Sequence, residues 1–439
     1  GPTAAPKDLQ TGAELDLSGA SVRIDTTVAL PSGRLVVKAD GDVVLGDNSR
    51  LDLAGRELAM LDISRYSWGG DVLLQSTRGN IVQAAGSAID VSARNNDAGS
   101  LSVVALDAGA GRIDLGGRLL GSATGHHDAG GTLLPYRAGG LLLRAQDLGD
   151  GGLSEEFAAL NRRLNEGGFF GERNFQFKRG DLNIGDELRA RSLAVSLDNG
   201  RLTVSGRVDA SGEQVGSIRL SAANGLTIAG GATLDAHGTV LRVDSRGQII
   251  DSPNRAAVVL DSGTGTLTIG DGARIDLRHG TASGGGDGAA RGTLELHVAR
   301  IGHTGSVLDA DAATHGDMAI DARGRIDVQG ARSIAVYGRQ VYTDAPLGSD
   351  PAASGRPYQV VDQAYLDAKH AESAAFVDNA LANGQLLGVK LAGLNNAAYR
   401  EAFHLRPEVQ ITSATPDGDI VVRGDLDLSG QRYASLNPN

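Results

Sequence analysis

The chain has 439 residues, a formal net charge of −12 and no cysteine, which excludes disulfides, thiolate metal sites and a cysteine nucleophile. The negative balance argues against nucleic acid or an anionic membrane surface as a partner, since both select basic patches. Aromatic residues make up only 4%, with one tryptophan beside 63 glycines, so the expected core is stacked Val, Ile, Leu and Ala between many tight turns.

Gly1-Pro2 reads as the remnant of a cleaved tag with no signal peptide after it, so the chain reads as excised from something longer. No run of about 18 apolar residues is present to span a bilayer. Residues 3–150 introduce a recurring phrase: an apolar residue, Asp and a second apolar residue, closing on Gly or another small residue. It stands at Leu15-Asp16-Leu17, Leu51-Asp52-Leu53, Ile89-Asp90-Val91 and Ile113-Asp114-Leu115. Later copies are Val208-Asp209-Ala210, Leu234-Asp235-Ala236, Ile275-Asp276-Leu277, Ile326-Asp327-Val328 and Leu426-Asp427-Leu428. Period-two alternation marks strands and the glycine punctuation marks turns. Several neighbouring copies lie 24 to 41 residues apart, one or two turns of a coil of about 20 residues. The pattern predicts an all-β, right-handed parallel β-helix of about 16 to 20 coils, a rod of roughly 75–95 Å at about 4.8 Å per coil. Arg112, Arg207, Arg274 and Arg325 each stand two residues before the Asp. Alternation puts Arg and Asp on one outer face, as a mixed-sign ladder that contributes little per exposed pair.

Further candidates interrupt this repeat. His126-His127-Asp128 offers imidazoles and a carboxylate, but no further ligand stands at a useful spacing, so an exposed polar loop is expected. Residues 151–178 form a helical insertion. Ser154 is placed to cap a helix over 153–167, Phe157, Leu160 and Leu164 share one face, and Gly167 ends it. The β-helix resumes over 179–343. Arg179-Gly180-Asp181, and later Arg423-Gly424-Asp425, spell the tripeptide that integrins read, although each stands where a coil corner would put it. Gly280 to Gly292 reads as a loop, whose tract from Gly284 to Gly288 lacks the period of a calcium-binding repeat. Tyr337 and Tyr342, near Arg339, form the best outward cluster. Residues 344–400 read as a loop and helical excursion in which Asp362 caps a second helix over 362–383, and 401–439 as terminal β-helix coils. Both helices are expected on the solenoid's flank.

No Gly-x-Ser-x-Gly elbow, phosphate loop or His-Glu-x-x-His helix is present. A polysaccharide-active site on such a fold would need clustered carboxylates together with aromatic platforms for sugar rings. The expectation is therefore a monomeric non-enzyme without cofactor or metal. Any interaction surface should lie on the interrupting segments 121–140, 153–178 and 344–400.

Two stretches carry a family resemblance. One runs from Phe157 to Gly171 through Arg162-Arg163, Gly167-Gly168 and Phe169-Phe170, and continues at Gly180-Asp181-Leu182. The other is Phe403-His404-Leu405-Arg406-Pro407-Glu408-Val409, running on to Gly424-Asp425-Leu426-Asp427-Leu428-Ser429. Together they resemble the uncharacterised domain that large filamentous-haemagglutinin-like exoproteins of the two-partner secretion pathway carry towards their C-terminal end. The resemblance covers about a third of the chain closely, the β-repeats between matching in style. It implies a β-helical passenger of a Gram-negative bacterium, exported by a dedicated outer-membrane transporter and displayed or released as an adhesin for carbohydrate or a cell-surface receptor. It equally allows a pure spacer that presents a distal tip or toxin. The family's secretion signature contains Asn-Pro-Asn near its start, whereas here only Asn437-Pro438-Asn439 occurs, so the transporter-engaging domain is expected outside this chain.

Overall fold

The computed structural model describes residues 11–60, 62–280, 289–349 and 354–429. The Gly284 to Gly288 tract, Gly1-Pro2 and Asn437-Pro438-Asn439 lie outside the described residues. The longest sheet has 13 strands, one of which, Asp317–Met318, pairs antiparallel at the side. The other twelve stack in parallel, from Glu14–Gly19 and Arg34–Ala39 at one end to Ala331–Tyr342 and Phe403–Ile411 at the other. Glu14 lies opposite Arg34 and Glu172 opposite Ser192, twenty residues on in each case, which is the bare coil. Two smaller parallel sheets close each coil into a three-sided tube, beginning with Val22–Ile24 and Thr27–Ala29. After residue 180 their counterparts begin with Leu182–Ile184 and Leu188–Arg189. The chain is thus a parallel β-helix.

Alternation places every second residue inside. Val37, Leu74, Val103, Leu143, Phe175, Val195, Leu220, Leu260, Leu296, Val336 and Leu405 form one such column, in register and almost wholly buried. Twelve stacked strands leave eleven spacings, a length of about 53 Å at about 4.8 Å each. This is fewer coils and a shorter rod than the repeat predicts, because hairpins such as Glu57–Met60 with Ile63–Tyr66 consume chain without adding a coil.

In most copies the phrase built on Asp is a corner rather than an exposed ladder, whereas Asp16 and Asp114 stand within their strands. Asp209, Asp235 and Asp276 stand above one another and are only 6%, 6% and 3% exposed. Each accepts the backbone N–H two residues on, from Ser211 at 2.9 Å, His237 at 3.2 Å and Arg278 at 3.2 Å. The same turn recurs at Asp90 with Ser92 and at Asp427 with Ser429. The carboxylate fixes the bend while its apolar neighbours point inward. The expected Arg partners appear in part: Arg207 bridges Asp209 at 3.3 Å and Asp235 at 2.8 Å. Arg112 instead pairs with Asp150, and Arg274 faces Asp327, the last copy being displaced in register by two residues.

Neither helix lies merely on the flank. Helix α1, Leu153–Glu166, follows Asp147–Leu148 on the second side of its coil and precedes Glu172–Phe177 on the long sheet, so it takes the place of a third-side strand. Its buried Phe157, Leu160 and Leu164 join the main core. Gly152, not Ser154, is its N-cap; the Ser154 hydroxyl instead accepts the Asn183 N–H at 2.9 Å. Glu155 and Glu156 face the positive end of the helix. A helix is wider than a strand, and the gap is filled by rings. Phe157 meets Phe175 edge-on at 4.9 Å and Phe177 at 6.2 Å. Gly167 ends the helix where the coil above leaves no room, since a Cβ there would lie 1.5 Å from the Leu119 carbonyl oxygen.

Helix α2, Gln363–Ala382, is capped by Asp362, whose side chain accepts the Tyr365 N–H. Its Phe376, Val377 and Ala380, with Leu386, Leu391 and Leu394 beyond it, belong to the main core. The segment after α2 therefore closes the tube over Ala322 and Ile326 through Lys390, Gly393 and Tyr399, while Ala345, Val361 and Tyr365 form a small cluster of their own. Among the described residues no helix is long and apolar enough to cross a membrane.

Candidate functional site

The predicted site residues do not converge. In Arg179-Gly180-Asp181 the carboxylate already accepts the Arg201 N–H at 2.8 Å, and Arg179 lies 3.7 Å from Asp147. In Arg423-Gly424-Asp425 the guanidinium donates to the Tyr358 hydroxyl at 2.8 Å and stacks on that ring. Both glycines have positive φ, +101° and +75°, as turns require. His126-His127-Asp128 is a strand of a hairpin with Leu133–Pro135 rather than a loose loop. Its side chains diverge: His126 pairs with Glu213 at 3.0 Å, His127 packs against Tyr136, and Asp128 accepts the Gly131 N–H.

The outward cluster of Tyr337, Arg339 and Tyr342 splits. Tyr337 and Arg339 share the outer face of Ala331–Tyr342, whereas Tyr342, at the opposite parity, is fully buried. Tyr337 lies flat on His297, ring centres 4.7 Å apart. His297 in turn hydrogen-bonds Glu408 at 2.7 Å. Arg339 grips Asp261 at 2.8 and 2.9 Å and the Gly263 carbonyl at 2.8 Å. Burial opposes ionisation of Asp261, but the Arg339 hydrogen bonds hold its carboxyl below the usual range. Arg339, Asp261 and Asp198 line a groove of about 490 Å³ floored by Ser196 and Ser221. Its carboxylates are already neutralised, Asp198 by Lys178 at 2.5 Å.

Asp235, His237 and Asp276 bring three ligand-type atoms within 4.8 Å. They belong to the corner ladder. His237 is bonded to Asp235 at 2.6 Å, and Arg278 chelates Asp276 at 2.9 and 2.6 Å. Burial raises the Asp276 pKa, but the Arg278 bonds outweigh it and keep the carboxyl ionised below its ordinary range. The Arg207 and Arg278 guanidiniums thus already neutralise these two carboxylates.

A groove of about 540 Å³ lies on the outer face of the long sheet around Trp68. Its floor follows from the stacking. A Cβ at Gly69 would lie 1.9 Å from the Val91 carbonyl oxygen, and one at Gly99 1.8 Å from that of Gly70. Both positions must therefore be glycine, which leaves bare backbone. Along the strands, Asp71, Ser100, Gly140 and Glu172 stand in one outward column, and Gly140 opens a notch before Glu172. Asp71 accepts from the Ser100 N–H at 3.1 Å and hydroxyl at 2.6 Å. Asp97 accepts the Arg137 N–H at 2.8 Å, and Asn96 donates to the Tyr66 carbonyl at 2.8 Å. The Trp68 carbonyl accepts the Ser32 hydroxyl at 2.6 Å, so the backbone is pinned while the residue remains 55% exposed. A composition reading passes over this site because it weighs the scarcity of tryptophan. The local signal is Trp68-Gly69-Gly70, a ring in a glycine turn rather than at an inward strand position.

The chain matches no protein-family model, no curated protein and no solved structure; its class is given by its fold, a parallel β-helix.

Proposed function

We propose that this chain is a binding segment of a secreted bacterial surface adhesin, a rod that attaches to carbohydrate, to a cell-surface receptor or to a neighbouring cell without catalysing a reaction. The observation that carries the reading is the division of labour on the solenoid. Corner carboxylates are tied to backbone and to cations, whereas the outer face of the long sheet keeps open polar grooves at Trp68 and at Arg339. Such grooves on a rigid scaffold suit binding. The resemblance to filamentous-haemagglutinin-like exoproteins adds export by an outer-membrane transporter and display at the surface of a Gram-negative cell.

The test is a glycan array together with whole-cell binding of the purified folded protein. Saturable binding supports the adhesin. No binding at high micromolar protein, in a sample whose circular dichroism shows β-structure, leaves the spacer reading in its place.

A further inference from the structure

We propose that the Trp68 groove is a saccharide site selective for neutral or amino sugars over uronic and sialic acids; this rests on the adhesin reading and names its ligand class. An exposed indole is an apolar face with a polar edge, the partner that the C–H face of a pyranose ring stacks on. Here its backbone is pinned, through the Ser32 bond to its carbonyl and the Gly69 N–H bond to the Asp97 carbonyl at 2.9 Å. Only the rotamer of the indole, and not its backbone, is then left to order when a ring docks. The glycine floor lets a sugar approach the backbone closely. The rim supplies the hydroxyl partners, with carboxylates on Asp71, Asp97 and Glu172, an amide on Asn96 and a guanidinium on Arg137. Carboxylates accept from sugar hydroxyls more strongly than neutral groups do. The Glu172 carboxylate has no hydrogen-bond or ion-pair partner among the described residues, so its acceptor capacity faces the groove unused. From Asp71 to Glu172 the column crosses three strand spacings, about 14 Å, which gives room for a short oligosaccharide.

Charge sets the selectivity. Three carboxylates against one guanidinium leave the lining at −2, which repels a carboxylated sugar and attracts a protonated amine. The Arg137 guanidinium lies 3.5 Å from the Asp97 carboxylate, which offsets its charge.

Because Trp68 is the single tryptophan of the chain, intrinsic fluorescence excited at the red edge of the indole band reports on this groove alone. Titration with cello-oligosaccharides, chito-oligosaccharides and chitosan oligomers should give a saturable change in emission from at least one of them, and oligogalacturonate none. By calorimetry with the responding oligomer, Trp68→Ala should weaken binding by about tenfold or more, with an unchanged circular dichroism spectrum because the ring is exposed. Glu172→Gln should weaken the amino sugar most and narrow the discrimination against oligogalacturonate. Equal binding of oligogalacturonate overturns the charge argument. Array binding that persists in Trp68→Ala, with no emission change in the parent protein, overturns this site and spares the adhesin reading. Absence of binding to any glycan or cell overturns both.

Discussion

Replacing Phe157 with alanine tests whether α1 is part of the wall of the tube. The side chain is 2% exposed and sits edge-on to Phe175 and Phe177. Truncation removes the ring from water-free packing and leaves a cavity that the stacked strands on either side cannot collapse into, a loss of about 3–5 kcal/mol. A second consequence follows from topology. The smaller sheets on the two sides of α1 are separate, Arg112–Leu115 and Asp147–Leu148 ending one stack and Leu182–Ile184 opening the next; only the long sheet runs through. Stability in a solenoid is a sum of coil terms and neighbour terms, so weakening this junction should split a single urea transition into two. The assay is urea unfolding followed by circular dichroism, with Leu142→Ala, on the outward face and 36% exposed, as a control that should stay within about 0.5 kcal/mol. A loss below about 1 kcal/mol with one transition retained would refute the assignment and return α1 to the flank.

Other outcomes follow from named contacts. Asp276→Ala removes the acceptor for the Arg278 N–H and frees a guanidinium; a loss of about 2–3 kcal/mol is expected in the same urea assay. Since Arg207, His237 and Arg278 already serve the corner carboxylates, the melting temperature should be the same in excess calcium, in zinc and in a chelator. A rise with either ion would contradict the closed-corner description. His297 faces Glu408, Glu295, Asp261 and the ring of Tyr337. Burial alone would lower its pKa, but the Glu408 bond and the flanking carboxylates hold it above the ordinary value. A raised folded-state pKa means that this stabilisation is complete below about 6.5, the unfolded value, and is lost as pH rises through the folded one. The fall in melting temperature over that window should flatten in His297→Gln. Gly167→Ala, forced against the Leu119 carbonyl, should cost several times what an exposed helix-end glycine does, about 1 kcal/mol, read by thermal melting.

The solenoid is legible because its cause is local. Alternation and glycine recur in every coil, and parallel stacking is the one arrangement that buries each inward Leu, Ile and Val against the next. The cap on α2 is equally local, Asp362 reaching three residues to Tyr365. What escapes the sequence depends on neighbours one coil away. Ser154 has the right chemistry for a cap but is claimed by Asn183, which lies in the next coil. That Asp235 and Asp276 stack as a column sharing cations from neighbouring coils becomes visible only when their strands are superposed. Arg173 is the sharpest instance. It occupies an inward position between Leu141 and Leu193, fully buried, with its guanidinium on the Asn161 side chain at 2.7 Å and the Phe169 carbonyl at 2.8 Å. Burial, with the nearby charge of Arg189, pulls its pKa down to about 9. No alternation rule places an arginine there; the polar groups that α1 and its following turn bring inside the tube do. The Trp68 groove is likewise made by four successive coils and by no contiguous motif.

The most direct test of the binding account is hydrogen exchange of the full chain, read by mass spectrometry with and without a saturating oligosaccharide taken from the array. Protection is predicted in peptides covering 66–71, 94–100, 137–140 and 170–173, the four coils that meet at the Trp68 groove, and not around Arg339. No protection at saturation would contradict it, whereas protection confined to the Arg339 groove would keep the adhesin reading and overturn the Trp68 site.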